Sequence, residues 1–143
     1  MALTSSDQLT TVDFEMYHNI IIVEAYVNNK WSKFIVDTGA SVSLLDFTQS
    51  KKYDFTYSID TDNRLTGFGG KTRLMRTSEV SFTMKGALTD RPFSFSASDL
   101  SGLNTILSQS QQRVLGILGN DFLQSHGAII DYRRKKLQIA SIE

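Results

Sequence analysis

Phe34-Ile35-Val36-Asp37-Thr38-Gly39-Ala40-Ser41 runs three apolar residues into an acid, a hydroxyl, a glycine and two small residues. A short unbroken apolar run closed by turn residues reads as a strand buried on both faces. A carboxylate at the end of such a strand is costly, because a buried charge must be paired or must shift its pKa. Taken alone, Asp37-Thr38-Gly39 is an ordinary turn closing a hairpin, since Asp and Gly are the commonest turn residues. The flanking chain decides between a turn and a site.

Upstream, Ile20 to Val27 is rich in β-branched and aromatic residues. Asn28-Asn29-Lys30 is a turn, and Trp31 to Val36 returns as the second arm of a hairpin that leads into Asp37. Downstream, Ser41 to Leu45 alternates, with Val42 and Leu44 expected on one face. Asp46 is placed to cap a short helical turn over 47–51. Tyr53, Phe55, Tyr57 and Ile59 alternate as one side of a further strand. Leu65 to Thr72 then packs three glycines, Gly67, Gly69 and Gly70, around Phe68. Glycines this dense make a tightly turning loop that a ligand can approach closely, with 60–66 and 72–77 as the arms of a hairpin. The spacing matches neither G-x-G-x-x-G nor a P-loop.

Val80, Phe82 and Met84 alternate on one face, and Pro92, the only proline, suits the start or edge of a strand. Residues 98–113 read as a polar loop holding a short helix, with Leu100, Leu103, Ile106 and Leu107 at near-helical spacing. Val114 to Gly119 is apolar and buried, and Asn120 is a plausible N-cap for a helix over 121–125 with Gly127 past its end. Two strands, 128–132 and 135–139, flank a basic tip at Arg133-Arg134, which reads as a solvated hairpin end rather than a nucleic-acid site. Residues 1–12 read as a polar arm or tail ahead of one domain over 13–143. Many short strands with regular turn signals and few helices make an all-β barrel or sandwich.

Composition narrows the function. The 143 residues suit one domain, and fifteen basic against fifteen acidic residues give no electrostatic capture of nucleic acid or an anionic membrane. Without cysteine there is no disulfide scaffold, thiol nucleophile or thiolate metal site, which fits a reducing, cytoplasmic setting. With only His18 and His126, no metal site is expected, and no cofactor. The opening residues have neither the basic nor the apolar segment of a signal peptide, and no run is long enough to span a membrane. Serine hydrolase chemistry is disfavoured by the lack of G-x-S-x-G.

Three features stand in order: the apolar strand into Asp37-Thr38-Gly39-Ala40, the glycine-rich hairpin, and Gly116-Ile117-Leu118-Gly119-Asn120-Asp121-Phe122-Leu123. Together they resemble the retropepsin-like aspartic proteases, over roughly 20–139. The resemblance implies an all-β, closed or partly open barrel of the acid-protease type with one short C-terminal helix. It implies an aspartic endopeptidase acting on a peptide or protein substrate. Asp37 would be catalytic, Thr38 would lock the paired loops, and Gly39 would let the substrate backbone lie close. Gly67, Phe68, Gly69 and Gly70 would form the tip of a flap. Ala40, Ser41, Ile117 and Leu118 would contact substrate or line the adjoining pocket. Aspartic proteolysis needs two carboxylates sharing a proton, and the chain has one D-T-G, so a symmetric homodimer is implied. Ser41 and Asn120 stand where many viral members carry an acid and an arginine, so the ion pair bracing those dimers is not expected. Two rival readings are a non-catalytic retropepsin-like module for peptide binding or dimerisation, and an unrelated β-barrel in which the D-T-G is only a turn.

Overall fold

The computed structural model describes residues 9–67, 70–87, 91–110 and 112–140, with backbone only for 59–67, 70–74, 91 and 110. Thirteen strands and two short helices follow one another in these segments. Strands β1 (Leu9–Asp13), β2 (Glu15–Tyr17), β3 (Ile20–Val27), β4 (Lys30–Val36) and β5 (Leu44–Asp46) come first. Next are β6 (Tyr57–Gly67), β7 (Gly70–Thr77), β8 (Val80–Met84), β9 (Arg91–Phe93) and β10 (Ser96–Ser98). Helix α1 (Ser101–Leu107), β11 (Gly116–Leu118), α2 (Asn120–Ser125), β12 (Ile129–Asp131) and β13 (Lys136–Ala140) complete the chain. The larger sheet is a curled half-barrel in the order β6-β7-β10-β5-β11-β4-β3-β8-β9, with β2 also on β3, and a smaller sheet runs β1-β13-β12. Among the described residues no helix is long and apolar enough to cross a membrane.

The β3–β4 hairpin turns on Asn28 and Asn29, both at positive φ, 50° and 67°. Asparagine tolerates that region, and two such residues match the twist of the flanking strands. Phe34, Ile35 and Val36 are all buried, as expected for a strand paired on both sides, antiparallel to β3 and parallel to β11. Most of the apolar interior is one cluster in which the rings of Phe34, Phe82, Phe95 and Phe122 meet edge-on or tilted. A second, smaller cluster joins Ile35, Leu107 and Val114, with Ile20, Leu103 and Ile117 packed at its rim.

Several local expectations change. Residues 9–12, expected in the arm, form most of β1, which pairs with β13 and buries Val12; residues 1–8 lie outside the described residues. In the stretch after Asp37 it is Ser43 and Leu45 that are buried, while Val42 and Leu44 are half-buried. Tyr53 and Phe55 are buried but Tyr57 is exposed, because a turn through Asp54 (φ 58°) separates them and β6 begins only at Tyr57. The short helix expected within 98–113 is present as α1, so the chain has two short helices among the described residues rather than the C-terminal one alone. Asp46 does cap a 3-10 turn, accepting from the Thr48 amide, over 47–49. Pro92 lies in β9, at the end of the large sheet's strand order.

Tyr53 ties the 50–56 turn to the hairpin, its hydroxyl donating to the Trp31 carbonyl at 2.9 Å. Burial pushes its phenol above the ordinary value of 10.0, with the Arg113 charge opposing. The folded chain therefore holds this proton at a pH where the unfolded chain releases it. The resulting stability is whole below about pH 10 and is lost as pH rises through the folded value. In an alkaline absorbance titration, one of the five tyrosines should ionise after the rest. That late step should vanish in Tyr53→Phe; its persistence would reject the assignment.

Candidate active site

Strand β4 delivers Asp37 to a place set by pairing. Phe34, Ile35 and Val36 lie beside Gly116, Ile117 and Leu118, and the ladder continues one step further, the Asp37 amide donating to the Leu118 carbonyl at 2.9 Å. The chain then turns: the Ala40 amide returns to the Asp37 carbonyl, and the Gly39 amide donates to Asp37 Oδ1 at 2.9 Å. A Cβ on Gly39 would lie 3.3 Å from that same oxygen, so glycine leaves the carboxylate room. Asp37, Thr38 and Gly39 are all exposed, so in the single chain the carboxylate carries no burial penalty despite ending a buried strand.

The loop between β4 and β5 passes over the end of β11, which lies between those two strands. Gly119, Asn120 and Asp121 hold it there. A Cβ on Gly119 would come within 2.7 Å of both the Ala40 and Val42 carbonyl oxygens, so only glycine lets the loop lie this close. Its backbone is extended (φ −101°, ψ −170°), so space rather than dihedral freedom is the requirement. The Gly119 amide donates to Ser43 Oγ, and the Asn120 amide to the Ala40 carbonyl. The Asn120 side chain donates from Nδ2 to the Thr38 carbonyl at 2.7 Å. The Asp121 carboxylate accepts from both the Ser43 amide (3.0 Å) and its hydroxyl (2.6 Å), and from the Phe122 amide in the first turn of α2. Asn120, expected as the N-cap of α2, is thus its first residue; Gly119 takes the cap position without a side-chain bond. A charged acceptor bridging a helix start and the loop adds rigidity, since such hydrogen bonds are the stronger ones.

Beside Asp37 opens a cleft of about 450 Å³ whose walls include Ile20, Ile35, Leu103, Ile117, Thr38 and Tyr132. Ile117, expected as a pocket residue, is one of these walls. Leu118, expected beside it, is fully buried in the main core, and its carbonyl receives the Asp37 amide. Ala40 is half-buried and Ser41 exposed. Gly67 and Gly70 pair at the end of the β6–β7 hairpin, whose register shifts between Asp60 and Arg64. Phe68 and Gly69 lie outside the described residues.

This geometry meets an independent finding. A family model described as Aspartyl protease matches residues 23–122, which takes in both the Asp37 loop and the segment that grips it. The chain belongs to the aspartyl protease family. No curated protein matches its sequence. Among solved structures it resembles a retropepsin-like aspartic protease from Rickettsia conorii, 18% identical, covering 97% of this chain and 96% of that one with a TM-score of 0.57. It resembles EIAV protease complexed with the inhibitor HBY-793, 20% identical, covering 82% and 99% with a TM-score of 0.56. The retroviral protease-like domain of Ddi1 from Leishmania major is also similar, 20% identical over 86% and 89%, TM-score 0.56. These likenesses give the aspartyl protease chain a retropepsin-like fold.

One part of the arrangement beside the cleft is invisible in the motifs. Asp46, 1% exposed, accepts from the Thr48 amide and hydroxyl, the Leu100 amide, Gln49 Nε2 and Asn104 Nδ2. Asn104 also exchanges two hydrogen bonds with the Val114 backbone, at 2.8 and 2.9 Å. A buried carboxylate persists when its oxygens are satisfied in this way. The network fastens α1 to the approach of β11 and so to the cleft. Asn104 sits in a polar segment that reads as solvated, and only the capping residue Asp46 was a legible signal.

Proposed function

We propose that the chain is an aspartic endopeptidase that hydrolyses peptide bonds with a water held between Asp37 and Asp37 of a second copy. The observation that carries this reading is an exposed carboxylate at the apex of a loop braced by Gly119, Asn120 and Asp121, beside an apolar cleft. One carboxylate takes a proton from water, whose oxygen attacks the scissile carbonyl carbon. The other, protonated, gives its proton to the carbonyl oxygen, forming a tetrahedral diol. Collapse of the diol breaks the C–N bond as a proton passes to the departing nitrogen. Two like charges this close share one proton, so a single chain holds half of the machinery.

The second copy would dock on the smaller sheet. Among the described residues, strand β12 pairs with β13 on one side and with no strand on the other, an edge of the kind that recruits another strand. Ile129 and Tyr132 on and just past this edge are 53% and 60% exposed, and Tyr132 also lines the Asp37 cleft. Pairing of β12 with its copy would bring the two Asp37 loops to one axis and cover apolar surface. The Gly67–Gly70 hairpin end, with Phe68 and Gly69, would act as the flap that closes over substrate and excludes water. Lack of cysteine suits work in a reducing compartment such as the cytoplasm.

The test is incubation with a diverse peptide library over a range of pH and enzyme concentration. Activity per chain should fall on dilution as dimers dissociate, in step with the sedimentation coefficient. Cleavage should also fade as pH rises and the shared proton is lost. A monomer of full specific activity would reject the two-chain site. Peptide binding without cleavage would favour the non-catalytic module.

A further inference from the structure

We propose that α1 sets which substrate side chain seats beside Asp37, with Leu103 as the selecting residue. The inference rests on reading the Asp37 cleft as the substrate site. Among the described residues that line the cleft, Asp37 is the only charged one. Its aliphatic walls are apolar throughout, so the side chain accepted there is aliphatic or aromatic. An anionic one would lose its water beside Asp37 without gaining a cationic partner among the described lining residues.

The walls differ in how they are held. Ile35 of β4 and Ile117 of β11 pair with each other in the ladder that also positions Asp37, and Ile20 pairs with Tyr17 at the start of β3. Leu103 is the one aliphatic lining residue supplied by a helix. That helix is fastened on its inner side: Asn104 clamps the Val114 amide and carbonyl, the Leu100 amide reaches Asp46, and Leu107 is buried with Ile35 and Val114. The fastening residues lie away from the cleft, while Leu103 stays half-buried at its rim. Leu103 is therefore held in place by α1 yet belongs to no strand ladder, so its side chain can change size without removing a strand pair. Those are the properties of a specificity determinant. A change of one methylene in such a pocket shifts discrimination by roughly 10-fold or more.

The experiment compares wild type, Leu103→Ala, Leu103→Phe and Ile106→Ala on peptides differing only in one residue beside the cleaved bond: Ala, Val, Leu or Phe. The readout is the ratio of kcat/KM values within each variant, which cancels differences in folded fraction. Leu103→Ala should move preference toward Phe, and Leu103→Phe toward Ala, each by roughly 10-fold. Ile106, on the same helix but 68% exposed and outside the cleft lining, should leave the ranking unchanged when truncated. An unaltered ranking in both Leu103 variants overturns the proposal, and so does an equal shift in Ile106→Ala. If wild type cleaves none of the peptides, it is the proteolytic reading that has failed. The same series, read as peptide binding by fluorescence anisotropy, then still decides: a binding order that follows residue 103 supports the assignment, and an unchanged order overturns it.

Discussion

Asp37→Asn is expected to lower kcat for peptide cleavage by about 10⁴-fold and to leave the melting temperature within about 2 °C of wild type. The two halves of that result have separate causes. Asp37 is exposed, and its Oδ1 accepts from the Gly39 amide. An asparagine carbonyl in the same position accepts the same hydrogen bond, so the loop keeps its shape. What disappears is the ability to take a proton from water and to return one to the carbonyl oxygen. In the proposed homodimer the substitution would remove both carboxylates at once. Persistent cleavage by the purified variant would place the chemistry elsewhere, and a large loss of stability would mean that Asp37 is structural.

Gly119→Ala is expected to destabilise the chain by about 1–3 kcal/mol or more and to abolish activity in whatever fraction remains folded. The added methyl meets backbone, not movable side chains: the Ala40 and Val42 oxygens at 2.7 Å and the Val42 carbonyl carbon at 2.9 Å. Relief requires lifting the 37–43 loop off the end of β11. Lifting it strains the hydrogen bonds from Asn120 to Thr38 and Ala40 and from Ser43 to Asp121. Gly102→Ala is the matched comparison, because a Cβ there meets nothing within 4 Å and replaces glycine in α1. Thermal unfolding beside the peptide assay separates the two cases. Equal melting temperatures for the two variants would show that the loop tolerates displacement.

What the sequence reveals follows from how local each pattern is. The β3–β4 hairpin, the alternation of Val80, Phe82 and Met84, and the β12–β13 hairpin are each written within one short continuous stretch, and the chain forms them. The order of D-T-G, glycine-rich segment and I-L-G was enough to find the family. Asn120 and Asp121 were harder to interpret. Read along the chain they look like helix-start residues, and their partners Thr38 and Ser43 are 82 and 78 positions away. The burial of Ser43 in place of Val42 has the same origin, since Asp121 pulls that hydroxyl inward against the local alternation. Likewise, Asn104 in its polar stretch gives no hint of Asp46, 58 positions earlier. Residues 9–12 look like a polar tail because β1 gains its partner only from β13, at the other end of the chain.

The threading of β11 between β4 and β5 also has a consequence in time. A ribosome delivers residues 34–46 long before residues 116–121, so the arms of the Asp37 loop emerge with the space between them empty. Until that late segment arrives there is nothing for the loop to rest on, and the carboxylate has no defined direction. Under the proposed proteolytic reading, a nascent chain would gain the power to cut only after residues 116–121 arrive, and a product truncated before Gly116 would lack the hydrogen bonds that hold the Asp37 loop.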